Sequence, residues 1–205
     1  MLHVDPLAAL LLIDVQEGFD DPSWGSRNNA DAEGHILELL TAWREAAMPL
    51  FHVQHISIEP DSVLADGKPG VELKVSTAPR SAEPLVKKNV NSAFIGTNLE
   101  SMLRAAKVST VVIVGLTTDH CVSTTVRMAA NLGFKTVLVA DATATFERVG
   151  HDGAHWSAQQ MHDAALASLS GEFAHVVGTE EVLSALAGTR HPRQLKKPVV
   201  TREYW

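Results

Sequence analysis

Thr110-Val111-Val112-Ile113-Val114-Gly115-Leu116-Thr117-Thr118-Asp119-His120-Cys121 is the stretch that decides how this chain folds. From Val111 to Val114 it is apolar without alternation and β-branched at every position. A strand buried on both faces of a parallel sheet needs that pattern. After Cys121 the run from Val122 to Leu132 has helical spacing, and Gly133 closes it. The stretch is therefore a handover from a buried strand to a helix, and Cys121 stands at the expected first turn of that helix. Unpaired backbone N–H groups and the positive end of the macrodipole there favour thiolate over thiol. Cys121 is the only cysteine among 205 residues, and its bland alternative is a small buried hydrophobe.

Working outward, residues 7–15 form a continuous apolar strand that reaches Asp14, and residues 16–31 are loop-like. Helical spacing of Ile36, Leu37, Leu39, Leu40 and Trp43 predicts a helix over 32–48, stopped by Pro49. Strands follow at 50–56 and 85–88, separated by a polar connection (57–84) with four prolines, long enough to suggest a functional loop. Thr97 and Glu100 have capping-box spacing and open a helix through Lys107. Strands at 110–114, 135–140 and 175–177 and helices at 154–169 and 179–186 complete the pattern. Alternating strands and helices, with strands apolar on both faces, predict an α/β, three-layer, doubly wound, Rossmann-like domain on a mainly parallel six-stranded sheet.

Domain organisation reads as one hydrolase-sized domain, 1–187, and a basic C-terminal arm, 188–205. The arm carries Arg190, Arg193, Lys196, Lys197 and Arg202 against Glu203. It lies on the acidic body or a second subunit, or it is a disordered end. The net charge of −7 argues against a nucleic-acid partner. One cysteine cannot form an internal disulfide, and residues 7–13 are too short an apolar run to span a bilayer. The expected location is cytoplasmic, with no membrane partner.

In open parallel sheets, ligands bind beyond the carboxyl ends of the strands. Those ends carry Asp14, His55, Lys88, the turn from Thr117 to Cys121, and Asp141. Asp14, Lys88 and Cys121 make a coherent set: base, balancing cation and nucleophile. The lysine should favour both anions and burial should oppose them. Backbone N–H groups of Thr117 and Cys121 are candidates for an oxyanion hole. The bland alternative for Asp14 is to cap a turn, and Asp141 is read as ordering a loop. Gln16, Phe19, Trp24, His55, Asn91, Phe94, His120 and Phe146 are candidates to line the pocket around a small-molecule substrate. His52 with His55, and His151 with His155, are the pairs with metal-ligand potential; the second lacks the glutamate of a zinc-protease helix and has Gly153 inside it, and no metal and no cofactor are expected. The chain has no GxGxxG after its first strand, no GxxxxGK[ST] and no GxSxG.

Taken in order, Leu11-Leu12-Ile13-Asp14-Val15-Gln16, Lys88 with Ser92-Ala93-Phe94, and Gly115-Leu116-Thr117-Thr118-Asp119-His120-Cys121-Val122 resemble the isochorismatase-like cysteine hydrolases. The resemblance runs from about Leu7 to about Leu186. It implies a catalytic triad of Asp14, Lys88 and Cys121, with Lys88 chosen over Lys87 by its distance from Phe94. It also implies a cis peptide between Leu116 and Thr117 and a homo-oligomer, dimer or tetramer. Metal-binding nicotinamidases of the family carry Asp-x-His after the second strand, where this chain has His52-Val53-Gln54-His55. Siderophore-type isochorismatases lack the cysteine that this chain has. The implied activity is cleavage of a C–N bond in a small amide or carbamoyl compound through a thioester. The alternatives are vinyl-ether hydrolysis, with Cys121 incidental, and a non-catalytic small-molecule binder.

Overall fold

Five consecutive buried residues, Ala9–Ile13, form β1 at the centre of the molecule. A computed structural model of the chain describes residues 2–189. After β1 come α1 (Ala32–Glu45), β2 (Leu50–His55), β3 (Leu85–Lys88), α2 (Leu99–Ala105), β4 (Thr110–Leu116), α3 (Ser123–Asn131) and β5 (Lys135–Ala144). The chain continues with β6 (Arg148–Val149), β7 (His155–Trp156), α4 (Ala158–Leu169), β8 (His175–Val177) and α5 (Thr179–Thr189). Six strands make one wholly parallel sheet in the order β3-β2-β1-β4-β5-β8. β6 and β7 pair apart from it as a two-stranded antiparallel ribbon.

Period-two alternation sends the residues of β1 to two separate cores. Leu10 and Leu12 join Ile36, Leu39, Leu40 and Trp43 of α1 and Val182 and Leu186 of α5. Ala9, Leu11 and Ile13 join Leu99 and Leu103 of α2 and Val126 and Ala129 of α3 on the opposite face. Each fully buried leucine or isoleucine contributes roughly 1.5–3 kcal/mol of transfer free energy, which is why a central strand needs no polar face. Trp43 is wholly buried, and its indole N–H donates to the Ala8 carbonyl at 3.0 Å, so a core aromatic keeps its one donor satisfied.

Strand order reverses between β1 and β4, the neighbours from which the chain winds in opposite directions. At that point Ile13 lies beside Gly115, and a Cβ on Gly115 would stand 2.0 Å from the Ile13 carbonyl oxygen. With φ of +119° as well, position 115 admits glycine alone. The register between β4 and β5 also shifts there: Ile113 pairs with Leu138, whereas Gly115 pairs with Thr143. β5 therefore bulges and runs on to Ala144, four residues beyond the expected end at 140. The Asn29 side chain closes the bulge, donating from Nδ2 to the Ala140 and Thr143 carbonyls at 3.0 and 2.7 Å.

Three local expectations are corrected. No capping box forms at Thr97 and Glu100: Asn98 is the cap residue, and Thr97 Oγ1 instead donates to the Ala93 carbonyl at 2.6 Å. The helix expected at 154 starts at Ala158, because Ser157 and Gln160 form a reciprocal capping box there. The preceding residues are the β6–β7 ribbon. α5 reaches Thr189, so the expected boundary at 187–188 falls inside a helix; the basic arm lies, from residue 190 onward, outside the described residues. Among the described residues no helix is long and apolar enough to cross a membrane.

Candidate active site

Asp14 follows β1, His55 ends β2 and Lys88 ends β3, so one edge of the sheet presents three ionisable side chains in neighbouring rows. His55 and Lys88 are directly paired in register. β2 stands between β1 and β3, so the Lys88 Cα lies two strand spacings, roughly 9–10 Å, from the row of Asp14. A long side chain is needed to cross that gap, and lysine has one. Alternation decides which lysine crosses: Lys87 is exposed and Lys88 is buried.

Lys88 Nζ stands 2.6 Å from Asp14 Oδ2, 3.2 Å from His55 Nδ1 and 3.3 Å from Cys121 Sγ. The Lys88 and Asp14 side chains have no solvent exposure. Asp14 has φ of +50°, in the left-handed region that aspartate tolerates better than most residues. Its N–H donates to the Val53 carbonyl at 3.0 Å, and its own carbonyl accepts from Gln16 N at 2.9 Å. Cys121 comes from beyond β4. It lies within one turn of π-helix, Thr118–Val122, that precedes α3, so the thiol belongs to this turn and not to the first turn of an α-helix. Single π turns recur at functional sites because they displace a side chain from the regular helical track. The Leu116–Thr117 peptide just ahead of it is cis.

The charges oppose one another strongly. Burial pushes the Asp14 carboxyl above its usual range, against the pull of Lys88. Burial and then the Asp14 charge push the Cys121 thiol up to about 12, although Lys88 works the other way. The helix-start argument for a preformed thiolate is thereby outweighed: taking a sulfur out of water disfavours its anion more than nearby backbone dipoles favour it. The site thus sets a thiol that resists ionisation beside a carboxyl group with raised proton affinity.

The chain matches the Isochorismatase domain over residues 8–181. It belongs to the isochorismatase family. Isochorismatase family protein YrdC of Bacillus subtilis is 44% identical over 176 residues, covering 86% of this chain and 94% of its own. Nicotinamidase 3 of Arabidopsis thaliana is 29% identical, covering 89% of this chain and 90% of its own. A solved isochorismatase-family structure from Chromobacterium violaceum superposes with a TM-score of 0.88 at 43% identity, covering 91% of this chain and 97% of its own. The six-stranded parallel sheet with helices on both faces is the fold of these relatives.

In this isochorismatase-family hydrolase, Asp14, His55 and Cys121 are the one cluster of potential metal ligands among the described residues, with ligand atoms within 4.8 Å of one another. The Lys88 ammonium touches all three, so the place a dication would take carries a protein cation. His52 does not join them; its Nε2 is 3.1 Å from Glu83 Oε2, on a carboxylate that also pairs with Arg44 at 2.7 Å. His155 meets Glu147 at 3.0 Å, and His151 is exposed.

The expected pocket residues divide. Gln16 is fully buried and spent on structure: Nε2 donates to the His55 and Val71 carbonyls, and Oε1 accepts from His55 N. It ties β1 to the end of β2, which holds His55 in place. Phe19, Trp24 and Phe146 stack on one another at 5.2–6.2 Å, with the Trp24 indole donating to the Gly18 carbonyl. Phe19 and Phe146 are buried parts of the α1-side core. Phe94 stacks on Phe134 at 6.1 Å, on the α2–α3 side. Asn91 and His120 are exposed, and His120 Nε2 is 3.6 Å from Asp119 Oδ2. Asp141 is structural, as read: Oδ1 accepts from the N–H and hydroxyl of Thr179, capping α5.

Sequence reading missed the braces around the cysteine turn. Thr118 Oγ1 pairs with His162 Nδ1 of α4 at 2.9 Å, both residues buried. The Asp119 carboxylate accepts from the Thr145 hydroxyl and, at 3.3 Å, from Arg148 Nε. Burial would raise that carboxyl, but those donors and His120 hold it below its usual range. The one available signal was the density of polar residues in 117–120, which fits a turn pinned on several sides; the partners lie 26–44 residues away.

Proposed function

We propose that this hydrolase cleaves the C–N bond of a small amide or carbamoyl compound through a thioester on Cys121. The observation that carries the reading is Lys88 Nζ, which contacts both Asp14 Oδ2 and Cys121 Sγ, with the lysine and aspartate side chains unexposed and the cysteine partly exposed. Asp14 is the base, because burial raises its affinity for the thiol proton. As that proton moves to Asp14, sulfur bonds to the substrate carbonyl carbon and the carbonyl electrons move to oxygen. The N–H groups of Thr117 and Cys121 hold that oxyanion. Collapse restores the carbonyl and breaks the C–N bond, and Asp14 returns its proton to the leaving nitrogen. Water then attacks the thioester and gives a proton to Asp14. Breaking the C–S bond releases the acid, and the proton returns to sulfur. Lys88 stays charged throughout and offsets whichever of the two groups is anionic. No step requires a cofactor. Similarity to a nicotinamidase supports an amide over a vinyl ether.

The test is ammonia release over a panel of small primary amides and carbamoyl compounds, with wild type and Cys121→Ser. The serine variant should lose at least about a thousandfold in kcat on any substrate found, since a hydroxyl is a far weaker acid than a thiol in this setting. Turnover retained by Cys121→Ser would sink the mechanism.

A further inference from the structure

The three contacts of Lys88 match the three protons of an ammonium group, and one of them is not to a member of the proposed triad. Asp14 takes one proton at 2.6 Å, Cys121 faces one at 3.3 Å, and His55 Nδ1 faces the third at 3.2 Å. We propose that His55 is a positioning residue: its imidazole Nδ1 is the third acceptor of Lys88 and keeps that lysine aimed between base and nucleophile. This rests on the triad reading above.

Nδ1 accepts from an ammonium only when it carries no proton of its own, so the ring proton belongs on Nε2. Burial and then the Lys88 charge depress the imidazole's proton affinity, against the weaker pull of Asp14, so the neutral ring is the resting form. The charged and titratable groups facing the ring are Lys88 from β3, Asp14 from beyond β1 and Cys121 from the π turn. Gln16 holds the His55 backbone from both sides, accepting from its N–H and donating to its carbonyl, so the ring's position is built in from β1.

Without an acceptor at position 55, one proton of a fully buried ammonium has no partner. A buried donor left unpaired is costly, so Nζ turns from its place between Asp14 and Cys121 to find another acceptor. The ammonium then no longer stands 3.3 Å from Sγ, and the sulfur becomes harder to ionise. Asparagine at 55 places Oδ1 the same number of bonds from Cα as Nδ1, so it can accept from Lys88; leucine fills similar space and accepts nothing.

The experiment measures iodoacetamide alkylation of Cys121 over pH 7–11 in wild type, His55→Leu, His55→Asn and Asp14→Asn, with thermal melts to show each variant folded. His55→Leu should move the profile to higher pH by about one unit or more. His55→Asn should restore it to near the wild-type position. A His55→Leu profile that overlies wild type overturns the proposal, and so does a shift of equal size in both His55 variants. His55→Ala replaces the leucine variant should that one fail to fold. If Asp14→Asn shifts the profile and His55→Leu does not, the positioning role falls and the triad reading stands. If Asp14→Asn has no effect either, both fall.

Discussion

Replacing Asp14 by asparagine should make Cys121 more reactive toward an alkylating agent while abolishing turnover. A base that merely activated its thiol would give the opposite result on the first count. Here the carboxylate lies within 4.8 Å of Sγ in a buried site, and after desolvation its charge is the largest influence holding the thiol up at about 12. Two unit charges 4.8 Å apart at an effective dielectric of about 20 repel by about 3.5 kcal/mol, or about 2.5 pKa units. Removing one brings the thiol toward roughly 9.5, with Lys88 Nζ still 3.3 Å from the sulfur to stabilise its anion. At pH 8 the thiolate population rises on the order of 10²-fold. The weaker nucleophilicity of a less basic thiolate trims the rate gain to about 20–30-fold. The assay is the second-order rate of iodoacetamide labelling by mass spectrometry, unambiguous because the chain has one cysteine. The same protein should release no ammonia from a substrate of the wild type, since no group remains to accept the thiol proton. Alkylation of Asp14→Asn at or below the wild-type rate would refute the electrostatic account, because the carboxylate would then not be what suppresses the thiolate.

Two further outcomes test the scaffold. Gly115→Ala should destabilise the fold by about 3 kcal/mol or more in urea denaturation, since its Cβ would meet the Ile13 carbonyl at 2.0 Å on a backbone with φ of +119°. A variant within 1 kcal/mol of wild type would mean that the two strands can separate there at little cost. Glu33 accepts from Arg27 and from Lys74 at 2.8 Å; burial would raise its carboxyl, but these cations lower it to about 2. A depressed folded-state value means the stabilisation is complete above the ordinary 4.5 and is lost as pH falls from there through about 2. After allowance for solvent screening it should amount to roughly 1–3 kcal/mol. Urea midpoints of wild type should fall across that window more steeply than those of Glu33→Gln, and parallel curves would contradict the assignment.

Much of this protein was legible in the chain because apolar patterning is a local property. β1 and β4 lie where continuous apolar runs place them, since both faces of each strand are buried in the sheet. Asp14, His55 and Lys88 stand at strand ends in the sequence; family spacing to Phe94 picks Lys88 over Lys87, and the burial of Lys88 alone of the two agrees. What the sequence could not show is where side chains find partners across the fold. The capping-box spacing at Thr97 and Glu100 was lost to a competing bond from Thr97 to Ala93, and β5 outran its apolar run because Asn29, more than a hundred residues earlier, satisfies its bulge. Gln16 read as a pocket residue, yet tertiary structure spends all of its bonds on the chain itself. The thiol is the sharpest case. Sequence placed it near a helix start, which favours an anion; only the assembled site shows that burial and a neighbouring carboxylate reverse that preference. Desolvation and charge pairing depend on distances between residues far apart in the chain, and those distances exist only once the sheet has formed.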